Sequence, residues 1–183
     1  MSAHDSAGGR HDPAGLIRSD LDAVDRIVPK GAEVRLTLGH LYASQGDYPA
    51  AVAQFDRWID ARGRDEVQMP AARNARCWAR ALAGQQLELA LADCDAAVYA
   101  QPKVAAFHDS RGLVYLRQGR YQKAIADYDA ALDLSPKVAW SLYGRGIARQ
   151  RLGLTAAGQA DIAAATALAP KIAEEAASHG IVP

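Results

Sequence analysis

Two cysteines, Cys77 and Cys94, have the most distinctive side-chain chemistry in this chain of 183 residues. They lie 17 residues apart, which is not a spacing of zinc ligands, and no CxxC motif occurs. Two cysteines are also too few for the disulfide framework of a small secreted protein. Because free cysteine is commonly buried, the sequence predicts that both are small core residues, and it leaves their oxidation state open.

The histidines offer one alternative to this interpretation. His4, His11 and His179 lie toward the two ends of the chain, where we expect them to be in solvent. His108 occupies a position that is typical of helix packing. If the fold brought Cys77 and His108 together, they would form a nucleophile and its general base. No third residue that would orient the histidine is evident, so the sequence does not favour such an enzyme.

Asp93 with Asp95, and Asp127 with Asp129, form two acidic pairs of the same spacing. Paired carboxylates can act as general acid and base. Their recurrence favours another interpretation, in which the first aspartate of each pair is structural and the second lies on a solvated face. The chain also lacks a phosphate-binding glycine loop and a G-x-S-x-G motif. The sequence therefore predicts a protein that is not an enzyme and that needs no cofactor and no metal.

The composition limits the fold and the partners. Half of the residues are hydrophobic but only 7% are aromatic, which favours closely packed helices rich in alanine and leucine. Lysine plus arginine and aspartate plus glutamate number 21 each, so the chain lacks the positive charge that nucleic-acid binding requires. No apolar run is long enough to span a membrane. Residues 1–13 have no apolar core and are expected to be a disordered tail. The sequence therefore favours a cytoplasmic location.

A repeat of about 34 residues organises most of the chain. Pro102, Pro136 and Pro170 follow one another at this interval, and the segment after Pro136 repeats the segment after Pro102 almost letter for letter. The frame slips by five residues in the second copy, near residues 64–70 and after Gly84, where a repeat protein tolerates insertions. The positions that recur are Gly39, Gly46, Tyr48, Ala51 and Phe55; Cys77, Gly84, Ala90, Cys94 and Ala97; Gly112, Gly119, Tyr121, Ala124, Tyr128 and Ala131; and Gly146, Gly153, Gly158, Ile162 and Ala165.

The third copy resembles the tetratricopeptide repeat (TPR), through Gly112, Tyr115, Gly119, Tyr121, Ala124, Tyr128, Ala131 and Pro136. The fourth copy departs from the family at Arg149 in an aromatic position and at Gly158 in an alanine position. The resemblance implies an all-α fold, a right-handed α-solenoid of about four helix-turn-helix units with an N-terminal orphan helix and a C-terminal capping helix. The predicted boundaries are 14–30 for the orphan helix, 31–65, 66–103, 104–137 and 138–170 for the four repeats, and 171–183 for the cap.

A pattern of charges supports this register. Arg76, Arg111 and Arg145 occupy one repeat position, and Asp93, Asp127 and Asp161 occupy another, near the middle of the second helix. The first repeat has Leu38 and Gln54 at these positions, so both charges are lost together. Because a partly buried charge needs a partner, the sequence predicts an arginine–aspartate pair inside each of the last three helix pairs.

The resemblance implies a non-catalytic scaffold that binds a peptide or protein segment in a concave groove lined by the first helices. Trp140 and Tyr143 are the strongest candidates, because no packing position of the repeat requires them and because Trp, Tyr and Arg are common interface anchors. Trp140 is equally well explained as a cover for the neighbouring repeat. The predicted groove residues are Leu36, His40, Asn74, Trp78, Asp109, Leu113, Arg117, Trp140, Tyr143, Ile147 and Arg151.

The charge of the partner is open at this stage. Relatives that bind the carboxylate end of chaperone tails use lysine and asparagine on these helices, and the comparable positions here do not carry that set. Arg117 and Arg151 would attract an acidic segment. The comparable clamp positions carry Leu36, His40, Ala75, Ala106 and Ser110.

Three further expectations concern the alternatives and the ends of the chain. An RNA-binding helical-repeat protein is the first alternative. It is disfavoured by the net charge of zero and by the spacing of the recurring Gly, Tyr, Ala and Pro residues. A regulatory or assembly fragment of a larger protein is the second. The orphan helix leaves an apolar face uncovered, so the chain is expected either to be such a fragment or to self-associate through residues 15–28.

Overall fold

A computed structural model describes residues 13–63 and 67–183, with side chains from Arg18 onward. The predicted tail 1–13 falls almost wholly outside the described residues. The described part of the chain contains α-helices and no strand, and none of its helices is long and apolar enough to cross a membrane. The helices are α1 (Pro13–Ile27), α2 (Val34–Ser44), α3 (Tyr48–Ala61), α4 (Met69–Ala83), α5 (Leu87–Ala100), α6 (Ala105–Arg117), α7 (Tyr121–Leu134), α8 (Ala139–Arg151), α9 (Thr155–Leu168) and α10 (Ile172–Ser178).

Four helical hairpins, α2–α3, α4–α5, α6–α7 and α8–α9, follow the orphan helix α1 as the repeat predicts. In each hairpin the turn contains a glycine with positive φ, at Gly46, Gly84, Gly119 and Gly153. Glycine adopts this left-handed conformation without the steric cost that a Cβ brings, so it ends the first helix sharply. The turn of the second hairpin has three residues like the others, and in it Gln86 also takes a positive φ, of 52°.

The hairpins stack into a curved array whose inner side is formed by the first helices. Helices α2, α4, α6 and α8 contact one another in succession. The second helices α3, α5, α7 and α9 make no such contacts with each other in the described part of the chain. The shorter spacing of the first helices places them on the concave side, as the resemblance implies.

Within each hairpin, a small residue on the first helix faces one position on the second helix at close range. A Cβ added at Gly39 would lie 2.4 Å from the ring of Phe55, and one at Gly112 would lie 2.9 Å from the ring of Tyr128. The equivalent pair in the second hairpin is Cys77 and Cys94, whose Cα atoms are 5.7 Å apart. Close approach of the helices at this level is therefore common to the repeats.

Cys77 and Cys94 form a disulfide bond. Both are fully buried, as the sequence predicts, and the bond answers the question of oxidation state that the sequence leaves open. The two positions meet in every hairpin, so cysteines placed at both lie within bonding reach. The bond joins α4 to α5 at the centre of the second repeat.

The fourth hairpin has its closest helix contact at Gly146 and Gly158. A Cβ added at Gly158 would lie 2.6 Å from the backbone oxygen of Gly146, and one at Gly146 would lie 2.8 Å from the backbone oxygen of Gly158. Gly158, a departure from the alanine of the family, is therefore what allows α8 and α9 to approach.

We expect the substitution Gly158→Ala to lower the free energy of unfolding by about 1–3 kcal/mol, the usual cost of overpacking. Alanine favours a helix interior over glycine by about 1 kcal/mol, so helix propensity alone would give the opposite sign. Urea denaturation measures the difference. The exposed Ala160 on the same helix provides the control, because Ala160→Gly changes propensity without changing this contact. A stabilised Gly158→Ala protein would show that the helices are not held this close.

The predicted arginine–aspartate pairs are present in the last three hairpins. Arg111 Nε and Nη2 donate to the two carboxylate oxygens of Asp127, each at 2.7 Å. Arg111 Nη1 donates to Asp95 of the preceding repeat at 3.0 Å. Arg145 in the same way joins Asp161 of its own hairpin to Asp129 of the preceding one.

Asp95 and Asp129, which the sequence places on a solvated face, are half exposed and accept these hydrogen bonds. The interpretation of them as purely solvated is therefore incomplete. Each arginine links two successive second helices, so the charge pattern fixes the stacking of repeats as well as the closure of each hairpin.

The first repeat keeps a buried arginine at a different position. Arg35, one turn before Leu38, donates to Gln54 Oε1 and to the carboxylate of Asp25 on the orphan helix. The sequence predicts that this repeat lacks both the arginine and the aspartate of the pair. In the structure, Arg35 and Asp25 provide these two charges from other positions than the repeat frame gives. Arg57 Nη1 also donates to Asp25, at 3.0 Å, so the orphan helix is fixed to the array by ion pairs.

The two ends of the array are packed differently. On α1, Leu21 is buried against Leu38, Tyr42 and Phe55 of the first hairpin. At the other end, Ile172 and Ala176 of α10 are buried, so this helix covers the fourth hairpin. Residues 179–183, which we call the C-terminal segment, then turn back toward the concave side.

Candidate functional site

The concave side holds an open cavity of about 420 Å³, which we call the concave cavity. Its lining comes from all four repeats and combines several aromatic rings with four alanines and few polar groups. The surface of the cavity is therefore mostly apolar. The lining residues are His40, Ala43, Phe55, Ala71, Asn74, Ala75, Trp78, Ala106, Phe107, Asp109, Ser110, Val138 and Trp140.

Aromatic rings from distant repeats form the walls of the cavity. Trp78 on α4 and Trp140 on α8 meet edge to face, with ring centroids 5.6 Å apart and planes at 88°. His40 packs in the same manner against Phe55, at 5.4 Å. Burial lowers the pKa of His40, so this ring is neutral near pH 7. Trp140 therefore both touches the second repeat and lines the cavity.

Asp109 is the only formally charged residue among those lining the concave cavity at neutral pH. The residue is 8% exposed, and Ser141 Oγ donates a hydrogen bond to its Oδ1. Within the described residues no arginine, lysine or histidine pairs with it, in contrast to the aspartates of the arginine–aspartate pairs. Burial raises the pKa of Asp109 to about 6, partly offset by the hydrogen bond from Ser141. The carboxylate is therefore mainly ionised at pH 7 and lacks a counter-charge.

Besides Asp109, a second polar side chain of the concave cavity lacks a hydrogen-bond partner. It belongs to Asn74, one turn before Trp78 on α4. Its Oδ1 is buried and accepts no hydrogen bond from the described residues. A buried polar atom without a partner costs free energy, so such atoms are uncommon. Asn74 lines the same cavity as Asp109, and each contributes an acceptor capacity that the described residues leave unused.

The C-terminal segment packs onto the concave side next to this cavity. Ile181 is buried, and with Trp78, Leu113, Trp140 and Tyr143 it lines a small recess beside the concave cavity. The ring of His179 lies over Tyr48 of the first hairpin, with centroids 5.6 Å apart. The expectation that His179 lies in solvent is therefore wrong.

Two arginines of the predicted groove are engaged with backbone carbonyls. Arg117 donates to Ala81 O at 3.1 Å, to Leu82 O at 3.0 Å and to His179 O. Arg151 approaches the carbonyl oxygens of residues 182 and 183 at 3.3 and 3.4 Å. These contacts tie the C-terminal segment to α6 and α8, so Arg117 is not free to bind an acidic ligand.

The predicted groove residues fall into two groups. His40, Asn74, Trp78, Asp109 and Trp140 line the concave cavity. The other inward residues are buried or covered: Leu113, Tyr143 and Ile147 are each 2% exposed, Arg117 and Arg151 hold the C-terminal segment, and Leu36 packs into the cores of the first two hairpins.

The positions comparable to the chaperone clamp give a similar result. His40, Ala75, Ala106 and Ser110 all line the concave cavity. Among these side chains none carries a positive charge at neutral pH. These positions therefore line the cavity, but they lack the positive charge that a site for a carboxylate would need.

The alternative site formed by Cys77 and His108 is not present. The sulfur of Cys77 is bonded to Cys94. His108 Nε2 lies 2.9 Å from Pro102 O, and its Nδ1 lies 3.4 Å from Asp127. In the described part of the chain, no group of three or more His, Cys, Asp or Glu residues is arranged to hold a metal ion.

Phe55, Phe107 and Val138 line the cavity but were not predicted from the sequence. Phe55 has a signal, because it occupies the aromatic packing position that projects toward the inner side in the first repeat only. The role of residues 179–183 has no sequence signal, since nothing in five residues after a capping helix predicts where they turn.

Comparisons with known proteins agree with this architecture. Family models described as TPR repeat and Tetratricopeptide repeat match residues 112–153 and 15–66. No curated protein matches the sequence. Among solved structures, MamA 41-end from Desulfovibrio magneticus RS-1 is similar at 22% identity and a TM-score of 0.64, covering 88% of this chain and 97% of that one.

Two other solved structures are similar. TTC0263, a thermophilic TPR protein in Thermus thermophilus, has 21% identity and a TM-score of 0.66, with 80% of this chain and 82% of that one covered. The first TPR domain of the human RPAP3 protein has 22% identity and a TM-score of 0.60, with 70% and 98% covered. At these identities the likeness extends to the fold alone. The hairpins, their glycine turns and the two family matches together make this chain a member of the tetratricopeptide-repeat family.

Proposed function

We propose that the protein is a non-catalytic scaffold that binds a segment of a partner protein in the concave cavity. The observation that supports this proposal is the cavity itself, an open apolar surface of about 420 Å³ lined by residues from all four repeats. Surface of this kind is exposed by a folded protein mainly where it binds something. Arrays of helical repeats use their concave side in this way.

The shape of the site favours a short peptide segment over a folded domain. The C-terminal segment lies against the side of the groove next to Arg117 and Arg151, where it helps to line a second cavity of about 300 Å³. The larger opening, between His40 and Trp140, would hold a few side chains of an extended or helical peptide. The single charge of this region, on Asp109, gives no support to the RNA-binding alternative.

Affinity capture from native lysate, followed by mass spectrometry, tests the proposal. We expect one or more proteins to be captured by the wild type and lost when Ala106→Gln fills the cavity from an exposed position. Trp140→Ala should have the same effect, provided that circular dichroism shows a folded protein. Tyr99→Ala on α5 is the matched control, because Tyr99 is 91% exposed and outside the cavity. A partner captured equally by all variants would place the binding surface elsewhere.

Self-association through residues 15–28 stays a prediction. Ile27 is 80% exposed, which favours it, whereas Leu21 is used in the core of the first hairpin. Analytical ultracentrifugation across a range of concentrations measures the association, and a single monomeric species throughout would contradict it.

The cytoplasmic location also stays a prediction, and a disulfide bond is more typical of an oxidising compartment.

A further inference from the structure

We propose that the concave cavity selects a positively charged side chain, so that the partner segment is basic and places a lysine or arginine against Asp109. This inference rests on the proposed function and adds the chemistry of the partner to it. The sequence alone leaves the charge of the partner open, and Arg117 and Arg151 are the residues that would attract an acidic segment.

The first argument is the balance of charge. Asp109 is the only formally charged residue among those lining the cavity at neutral pH, and the described residues give it one hydrogen-bond donor, Ser141, and no cation. Every other buried aspartate of the repeats, at positions 93, 127 and 161, is paired with at least one arginine. An ionised carboxylate that is 8% exposed and lacks a counter-charge is costly, and a ligand cation would supply the missing partner.

The second argument is the kind of polar atom that the cavity presents. Asn74 Oδ1 is buried and accepts no hydrogen bond, and Asp109 offers further acceptor capacity. Ser110 uses its hydroxyl proton on Ala106 O at 2.9 Å, so its oxygen also remains an acceptor. Ammonium and guanidinium groups carry only donors, which matches the unused acceptor oxygens of these three residues. A carboxylate or phosphate would instead meet the uncompensated negative charge of Asp109.

The third argument is the surrounding wall. Trp78 and Trp140 meet edge to face at 5.6 Å, and both line the cavity together with Asp109. Tryptophan faces attract cations, and the methylene chain of lysine or arginine packs well on aromatic and alanine surface. The cavity is thus suited to a long side chain with an apolar stem and a cationic end.

Binding of defined peptide pools to the full chain tests the inference. Each pool consists of seven-residue peptides, acetylated and amidated at their ends, randomised except for a central lysine, arginine, norleucine or glutamate. We expect wild type to retain the lysine or arginine pool at least about tenfold more than the norleucine pool, the effect of one buried charge-assisted hydrogen bond. The glutamate pool should be retained least.

The variant Asp109→Asn should remove the preference for the cationic pools while keeping the shape of the side chain and an acceptor for Ser141. Asp133→Asn on the outer face is the matched control for a change of net charge, because Asp133 is exposed. Thermal melts establish that both variants are folded. Retained selectivity in Asp109→Asn would overturn the assignment of Asp109.

The remaining outcomes separate this inference from the proposed function. Equal retention of lysine, norleucine and glutamate pools, lost in Ala106→Gln, would overturn the charge preference and leave peptide binding in the cavity intact. Retention of no pool would overturn both proposals. Spermidine that competes as strongly as the lysine pool would overturn the peptide as the source of the cation.

Discussion

Replacing Asp93 with alanine is expected to lower the free energy of unfolding by about 3–5 kcal/mol, the usual cost of leaving a buried charge without its partner. Arg76 donates to both oxygens of Asp93, at 2.7 and 2.6 Å, and Arg80 Nη1 donates to Oδ2 at 2.6 Å. The side chains of Asp93 and Arg80 are only 8% and 9% exposed. Among the described residues, Asp56 would be left as the only carboxylate in contact with the two guanidinium groups, because it also pairs with Arg76 and Arg80.

Denaturation in guanidinium chloride, with the disulfide kept oxidised, measures this loss. Asp95→Ala is the matched control, because Asp95 lies two residues away on the same helix and pairs with Arg111 while its side chain is 51% exposed. An exposed pair contributes about 0–1 kcal/mol, so the control should unfold near the wild-type midpoint. Equal losses in the two variants would contradict the assignment of the large effect to burial.

Reduction of the Cys77–Cys94 bond is expected to lower the free energy of unfolding by about 2–4 kcal/mol. The bond closes a loop of 17 residues, and cross-links of this length restrict the unfolded chain by roughly 3 kcal/mol. Both cysteines are fully buried, so a reductant reaches them only when the second hairpin opens. Parallel guanidinium unfolding curves with and without dithiothreitol give the difference.

Thiol titration provides the control for this prediction. Protein purified without reductant and denatured should show no free thiol, and after reduction it should show the two thiols that the sequence contains. The double variant Cys77→Ala, Cys94→Ala should match the reduced wild type within the cost of the lost sulfur atoms. Free thiols in the unreduced protein, or identical unfolding curves, would contradict the prediction.

The repeat frame and much of the charge pattern were predictable from sequence because they depend on local rules that recur. Glycine and proline mark the ends of helices through their own backbone limits, so Gly119 and Pro136 delimit α6 and α7 without tertiary information. The pairing of Arg111 with Asp127 was evident because three repeats carry both residues and the first repeat lacks both. Repetition thus supplies a comparison within one chain.

The disulfide was not predicted, although the repeat frame contains its signal. Cys77 aligns with Gly112, and Cys94 aligns with Tyr128, and these two positions face each other in the third hairpin. Zinc-ligand spacing along the chain does not bear on residues that meet across two facing helices. The general rules on how many cysteines cytosolic and secreted proteins contain apply to whole chains, so they do not predict whether two particular cysteines form a bond.

The site was predictable in part. First helices line the concave side, and His40, Asn74 and Trp140, which the sequence places on them, line the concave cavity. How far each groove residue is exposed was not predictable, because it depends on how the C-terminal segment packs across the groove. Ile181 of that segment lines one recess together with Tyr143 and Leu113, and these two residues are buried. The sequence places Asp109 among the groove residues without distinguishing it from the others. Its lack of a counter-charge follows only from the packed structure.

The contact between His179 and Tyr48 joins residues that are 131 positions apart in the chain. A linear array of repeats is quasi-one-dimensional, because each unit touches only its neighbours and either end can fray on its own. Here the cap reaches the first hairpin, and Arg117 in the third repeat holds His179 O while it also binds carbonyls of the second. Opening of the last repeat therefore disturbs the first. We therefore expect the two ends of the array to unfold together, because they are in direct contact as well as connected through the interfaces between successive repeats.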